Sequence, residues 1–241
     1  MRPSERPSRP GALTRLTDGD IEVRGRLPWS SNGTFLVDVR LDGEASPAVY
    51  KPLQGERPLW DYPRGLYRRE VAAYLVSEWL GWGLVPETVE RDAGPLGPGS
   101  LQRFVDADFE EHYFTLLERA EHTDTLKAVC AFDLLVNNGD RKGGHCIVDR
   151  DGRIWGIDHG LSLHVEPKLR TVIWDFEGQP IPPGRAEDIA RIALAADPPP
   201  ALADLLSSEE MDALVARAAR LVRRPVYPSI RSARAFPWPL I

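Results

Sequence analysis

At 241 residues and 26.9 kDa, with 42% hydrophobic and 27% charged residues, the chain has the composition of a globular protein able to bury a sizeable core. Thirty Lys and Arg against 36 Asp and Glu leave a net charge of −6, which argues against a nonspecific nucleic-acid binder. No apolar run approaches the roughly 18 residues of a membrane span, MRPSERPSRPG lacks the apolar core of a secretory signal, and two cysteines without metal-like spacing suggest buried thiols in a reducing cytoplasm.

In chain order, residues 1–14 are rich in Pro, Ser and Arg and read as disordered. DIEVRGRL (Asp20–Leu27) reads as a strand, followed by the loop PWSSNGT. FLVDVRL and SPAVYKPL alternate apolar and polar residues around the turn DGEA, so three antiparallel strands are expected. GLYRREVAAYLVSEWLG predicts a helix that stops at Gly81, with Leu66, Val71, Tyr74, Leu75, Glu78 and Trp79 on one face. LVPETVERDAGPLGPGSLQRFVDA predicts two further strands about a Gly/Pro turn. YFTLLERAEHTDTLKAVCAFDLLVNN, AEDIARIALAAD and SSEEMDALVARAARLVRR are helical in pattern, interrupted by a hairpin, HCIVDRDGRIWGID, bent at RDG. Trp60, Trp79, Trp82, Trp155 and Trp174 are expected in the core, and the Arg-rich end RAARLVRRPVYPSIRSARAF as a solvated tail. Strands, a helix and strands, then helices broken by a hairpin, make an α+β chain.

The polar chemistry gathers in VNNGDRKGGHCIVDRDGRIWGIDHG (Val136–Gly160). Asp140 follows a helix, His145 opens the first hairpin strand and Asp158 follows the second. Ends of rigid elements are common places for catalytic groups. Either acid taken alone is equally well a turn cap. In the first half, Lys51 ends a strand and Glu70 lies in the opening turns of the helix. Singly they read as a snorkelling lysine and a solvated glutamate. Together, in this order, they suggest an ion pair that presents an ammonium to phosphate oxygens. SSNGT, with Ser31, Asn32 and Gly33, offers hydroxyls and backbone amides to the same phosphates. No G-x-S-x-G, H-E-x-x-H, G-x-x-x-x-G-K-[ST] or G-x-G-x-x-G competes.

The order strand-Lys, helix-Glu, GDRKGGH, hairpin, GIDHG resembles the atypical kinases related to phosphatidylinositol 3- and 4-kinases and to HipA-type bacterial kinases. In those, a D-R-x-x-x-N loop precedes a D-x-G-type motif, matched here by DRKGGH (Asp140–His145) and DHG (Asp158–Gly160). The resemblance implies a two-lobed protein-kinase-like fold: an antiparallel-sheet N-lobe with one helix over 15–105, and a mainly helical C-lobe over 106–241. It implies that Lys51 holds the phosphates of ATP, Glu70 orients Lys51, and Asp140 takes or positions the acceptor hydroxyl. Asp158 would hold Mg²⁺ or Mn²⁺, the backbone of Arg103, Phe104 and Val105 would meet adenine, and Arg141 would act as a structural partner or substrate contact. His145 occupies the place of the family's second metal ligand, usually Asn, and its nitrogen suits Mn²⁺ or Zn²⁺ better than Mg²⁺. The expected activity is transfer of the γ-phosphate to a hydroxyl of protein Ser or Thr, autophosphorylation included, with no nucleic-acid or membrane partner. The alternative is a nucleotide-binding pseudokinase acting as a regulatory or scaffold module.

Overall fold

The computed structural model describes residues 10–28, 30, 32–195, 198–230 and 233–241. The described residues start with a helix, α1 (Pro10–Asp18), whereas 1–14 reads as disordered in the sequence; residues 1–9 of that span lie outside the described residues. Leu16 is what orders it: this side chain is buried against the sheet that follows, and Arg91 donates to the Leu16 and Gly19 carbonyls at 2.8 and 3.0 Å, closing the helix end.

Three strands come next, β1 (Asp20–Arg26), β2 (Phe35–Leu41) and β3 (Glu44–Pro52). The β2–β3 turn places Asp42 and Gly43 at φ +53° and +80°, the left-handed pair that matches strand twist in a two-residue hairpin. After α2 (Leu66–Leu80), β4 (Thr88–Arg91) and β5 (Gly99–Arg103) complete an antiparallel sheet in the order β1-β2-β3-β5-β4. Val37, Val39, Ala48, Tyr50 and Leu101 bury one face under Leu16. Alternation turns Val49 and Lys51 to the other face, with Lys51 in register with Ser100.

Helix α2 lies on that second face and is not the one-sided helix its spacing predicts. Eleven of its 15 residues are buried, Arg69 and Glu70 among them, whereas Glu78 is exposed. A helix buried nearly all round is wedged between two layers. Here those layers are the sheet and the large apolar cluster of the second half, which Ala72, Ala73, Tyr74, Val76 and Leu80 join.

The second half holds a short sheet, β6 (Ala107–Asp108), β7 (Cys146–Asp149) and β8 (Ile154–Gly156), in that order. The carboxylate of Asp149 accepts from the Asp151 and Arg153 amides at 3.0 and 2.9 Å and from the Trp155 indole at 2.8 Å, which sets the hairpin bend. The helix expected over 113–138 is two helices, α3 (Tyr113–Leu117) and α4 (Thr123–Val136). Arg119 leaves helical space (φ −106°, ψ 116°) and its guanidinium returns to Glu111. The core is completed by α5 (Pro183–Ala193), α6 (Pro200–Ala203) and α7 (Ser208–Arg223).

Ser207 and Glu210 form a capping box at the start of α7, and Ser207→Ala is expected to cost about 1 kcal/mol, read as a lowered melting temperature. Both cysteines are free and buried, as expected. Trp82 and Trp155 are core residues, but Trp60 is 94% exposed with the Lys168 ammonium 5.7 Å from its ring. The Arg-rich end docks rather than floating in solvent: the Leu240 carbonyl accepts from Gly143 at 2.7 Å, that of Ala235 from Thr171 at 2.9 Å, and Phe236 meets Trp174 edge-on. Among the described residues no helix is long and apolar enough to cross a membrane.

Candidate active site

β3 carries Lys51 to the cleft between the sheet and the helical half, where α2 brings Glu70 to meet it. The Lys51 ammonium donates to the Glu70 carboxylate and to Asp158 Oδ1 at 2.8 Å. Burial would lower the Lys51 pKa, but Asp158 and then Glu70 hold it well above its ordinary value, so the ammonium stays charged. Glu70 is buried and also accepts from the backbone amides of His159 (2.9 Å) and Gly160 (3.0 Å). One carboxylate therefore joins the sheet lysine, the helix and the D-H-G segment.

Asp158 sits at φ +60°, a left-handed conformation costing on the order of 1–3 kcal/mol in a non-glycine residue. Glu70 holds the two amides after it, and Arg141 accounts for the rest of the turn. The Arg141 guanidinium is fully buried and pairs with both oxygens of Asp133 at 2.9 Å. It also donates to the carbonyls of His145 (3.0 Å) and Ile157 (2.8 Å) and lies 2.7 Å from His159 Nε2. His159 packs edge-on against Phe132, and burial holds its imidazole neutral, so Nε2 accepts from Arg141.

Asp140 follows the end of α4, where Asn137 at φ +55° terminates the helix. Asn138 donates to Asp133 at 3.0 Å and accepts from the Asp140 amide at 3.0 Å, so Asp133 braces Asp140 through a relay. Burial, reinforced by Asp158 and opposed by Lys142 at 3.5 Å, pushes the Asp140 carboxyl up to about 6.

These groups face one cleft, which is open to solvent and encloses about 60 Å³. Lys51, Glu70, Asp140 and Asp158 line it together with Asn32 and Gly33. Ser31 lies outside the described residues. The loop at 30–34 is not an open cradle of amides. The Gly33 amide donates to Gly55 (2.7 Å) and that of Thr34 to Asn32 (2.9 Å), while the hydroxyls of Ser30 and Thr34 pair at 2.7 Å. Arg103, Phe104 and Val105 are not part of this lining. The Arg103 amide is bonded to Glu87 and the Phe104 amide to Pro47, and the Arg103 guanidinium pairs with Glu87 and covers Trp155. Val105 belongs to a small apolar cluster with Ala107, Ile147 and Trp155, against which Ile157 packs. Sequence reasoning missed Glu56, Tyr67 and Leu161 on the cleft wall, since nothing local marks them.

Two groups fit a divalent ion. His145 Nε2 lies 3.3 Å from Asp158 Oδ2, and the imidazole is held neutral, its pKa lowered to about 4 chiefly by burial, helped by Arg141. The closer neighbour of Nδ1 is the Asp140 carbonyl at 3.0 Å, against 3.4 Å for the Lys142 amide. With its proton on Nδ1 donated to that carbonyl, Nε2 turns a lone pair toward Asp158, an arrangement that a cation between them satisfies. No cluster of three or more His, Cys, Asp or Glu converges among the described residues, so nucleotide phosphates would supply the remaining ligands, a common arrangement for Mg²⁺.

The family model described as phosphatidylinositol 3- and 4-kinase matches residues 65–196, more than half of the chain and the part that holds Glu70, Asp140, His145 and Asp158. The chain belongs to that family. Protein Rv2133c of Mycobacterium tuberculosis (strain ATCC 25618 / H37Rv) is 42% identical over 93% of each chain. In fold this member of the family is similar to hydra Fam20 solved with sugar (TM-score 0.57, 12% identity, 88% of this chain and 87% of that one). It is also similar to the Golgi casein kinase solved with Mn/ADP bound (TM-score 0.53, 13% identity, 88% and 74%). These likenesses identify a two-lobed kinase-like fold, as the resemblance implied.

Proposed function

We propose that the protein is an ATP-dependent phosphotransferase that moves the γ-phosphate to a hydroxyl of protein Ser or Thr, its own included. The observation that carries this reading is Lys51 held between Glu70 and Asp158 in one cleft with Asp140. Phosphoryl transfer spreads negative charge over the transferred group, so a fixed cation and a placed carboxylate supply most of what the protein must contribute. Lys51 would bind phosphate oxygens while Glu70 keeps its ammonium in place. Asp140 would accept the proton of the acceptor hydroxyl at its carboxylate, with the Lys142 ammonium beside it to balance charge on the incoming group. Asp158 and His145 would hold Mg²⁺ or Mn²⁺, which neutralises phosphate charge when bound. Adenine would lie at the connector between the lobes, whose boundary we place at Val105/Asp106, beside the half-buried Ile157.

Transfer of label from γ-labelled ATP tests the reading, with the protein itself, a general protein substrate and phosphoinositide vesicles as acceptors. Label on protein supports it, and label on lipid alone replaces the acceptor. A melting temperature raised by ATP without transfer to any acceptor leaves the pseudokinase. His145 gives a further prediction. An imidazole ligand favours Mn²⁺ over Mg²⁺, so His145→Asn should lower the Mn²⁺/Mg²⁺ ratio of initial rates by about tenfold. An unchanged ratio removes His145 from the metal.

A further inference from the structure

Two adjacent residues in the connector between β3 and α2 hold different parts of the cleft. The carbonyl of Gly55 accepts the Gly33 amide at 2.7 Å, and the backbones touch closely enough that a Cβ on either residue would lie 2.9 Å from the other's Cα. Neither glycine has a positive φ. What each position requires is the missing side chain, not left-handed freedom. Next to it, the carboxylate of Glu56 accepts from the Gly65 amide at 2.8 Å and the Tyr67 amide at 2.9 Å. Gly65, at the start of α2, has no side chain with which to cap the helix, so Glu56 caps it from nine residues upstream, with its charge at the favourable end of the dipole. A second bond, from the Arg57 amide to Asn32 Oδ1 at 3.0 Å, reinforces the attachment to the loop.

We propose that Gly55 and Glu56 are positioning residues that make the loop at 32–34 and helix α2 a single unit, so that the loop's grip on nucleotide phosphates and the alignment of Glu70 with Lys51 are set together. This rests on the nucleotide-binding reading above. It accounts for how a loop with one glycine and its own amides bonded inward takes a defined place. The loop is fixed from behind by the connector, while Ser30, Asn32 and Thr34 line the cleft. It also explains why two unremarkable-looking connector positions, Gly55 and Glu56, are each engaged at short range by a different side of the site.

The test is calorimetric titration of the full chain with a non-hydrolysable ATP analogue and, separately, with adenosine, for wild type, Gly55→Ala, Gly33→Ala, Glu56→Ala and Glu56→Gln. Adenosine lacks the phosphates, so a general loss of structure would weaken both ligands, whereas a displaced phosphate loop weakens only the first. The expected result is an analogue affinity lowered about tenfold in both glycine variants and in Glu56→Ala, with adenosine within about twofold of wild type and Glu56→Gln partly restored, as its amide oxygen still accepts. Parallel loss of both ligands, or an unchanged analogue affinity in Gly55→Ala and Gly33→Ala, overturns the proposal. A wild type that binds the analogue no better than adenosine overturns the nucleotide reading itself, and this proposal with it.

Discussion

Asp140→Asn is expected to keep nucleotide binding and lose transfer by about 10²–10⁴-fold, the range for removal of a placed general base. The substitution is clean because the backbone of residue 140 does separate work. Its amide is held by Asn138 and its carbonyl faces His145 Nδ1, so the loop and the imidazole beside Asp158 keep their places without the carboxylate. Among the described residues the side chain's one ion-pair partner is Lys142 at 3.5 Å. The carboxyl is pushed up to about 6 by burial, so its charged form opposes folding above that pH. The sign follows: the Asn variant should melt at a higher temperature than wild type above about pH 6, and the difference should vanish as pH falls toward the unfolded-state value near 4. Rate with labelled ATP and melting temperature across pH are the two measurements. Transfer within tenfold of wild type would remove Asp140 from the chemistry.

How much of this was legible in the sequence depended on distance along the chain. The strands β1 to β5, the β7–β8 hairpin and the stop at Gly81 are local matters of alternation, turn chemistry and a left-handed cap, and they are readable. Lys51, Glu70, Asp140 and Asp158 were readable as a set because their order resembles a known arrangement. Spacing alone left each with an ordinary explanation. What could not be read is burial from two sides. Helix α2 carries Arg69 and Glu70 inward because the lower lobe covers them, which reverses the one-face periodicity that a window of its residues suggests. Helix α1 escaped notice for a related reason: Leu16 and the carbonyls capped by Arg91 depend on a strand 75 residues later. Trp60 was misjudged in the opposite sense, as its size suggests a core that the loop at 53–65 never reaches.

The largest structural effect is expected at Arg141. Its guanidinium and the Asp133 carboxylate are 0% and 1% exposed, so removing Arg141 strands a buried carboxylate away from water and from the cation that pairs with it. Arg141→Met should cost about 3–5 kcal/mol, a fall in melting temperature of about 6–20 °C at the ~2–4 °C per kcal/mol of a chain this size. The double variant Arg141→Met with Asp133→Leu separates two roles. With the stranded carboxylate gone as well, much of the stability should return, because a buried ion pair adds little over apolar groups of similar size. Activity should not return. Arg141 is also the common donor to the carbonyls of His145, whose ring faces Asp158, and of Ile157, which precedes Asp158. Methionine supplies no donor to either, so the Ile157 carbonyl is left unpaired, that of His145 keeps the Ile157 amide alone, and the turn that holds Asp158 at positive φ loses support. A double variant that regains both stability and transfer would show that the Glu70 bonds to His159 and Gly160 suffice to hold the D-H-G turn. One that regains stability alone would assign to Arg141 the geometry of the site and to the Asp133 pair only the neutralisation of a buried charge.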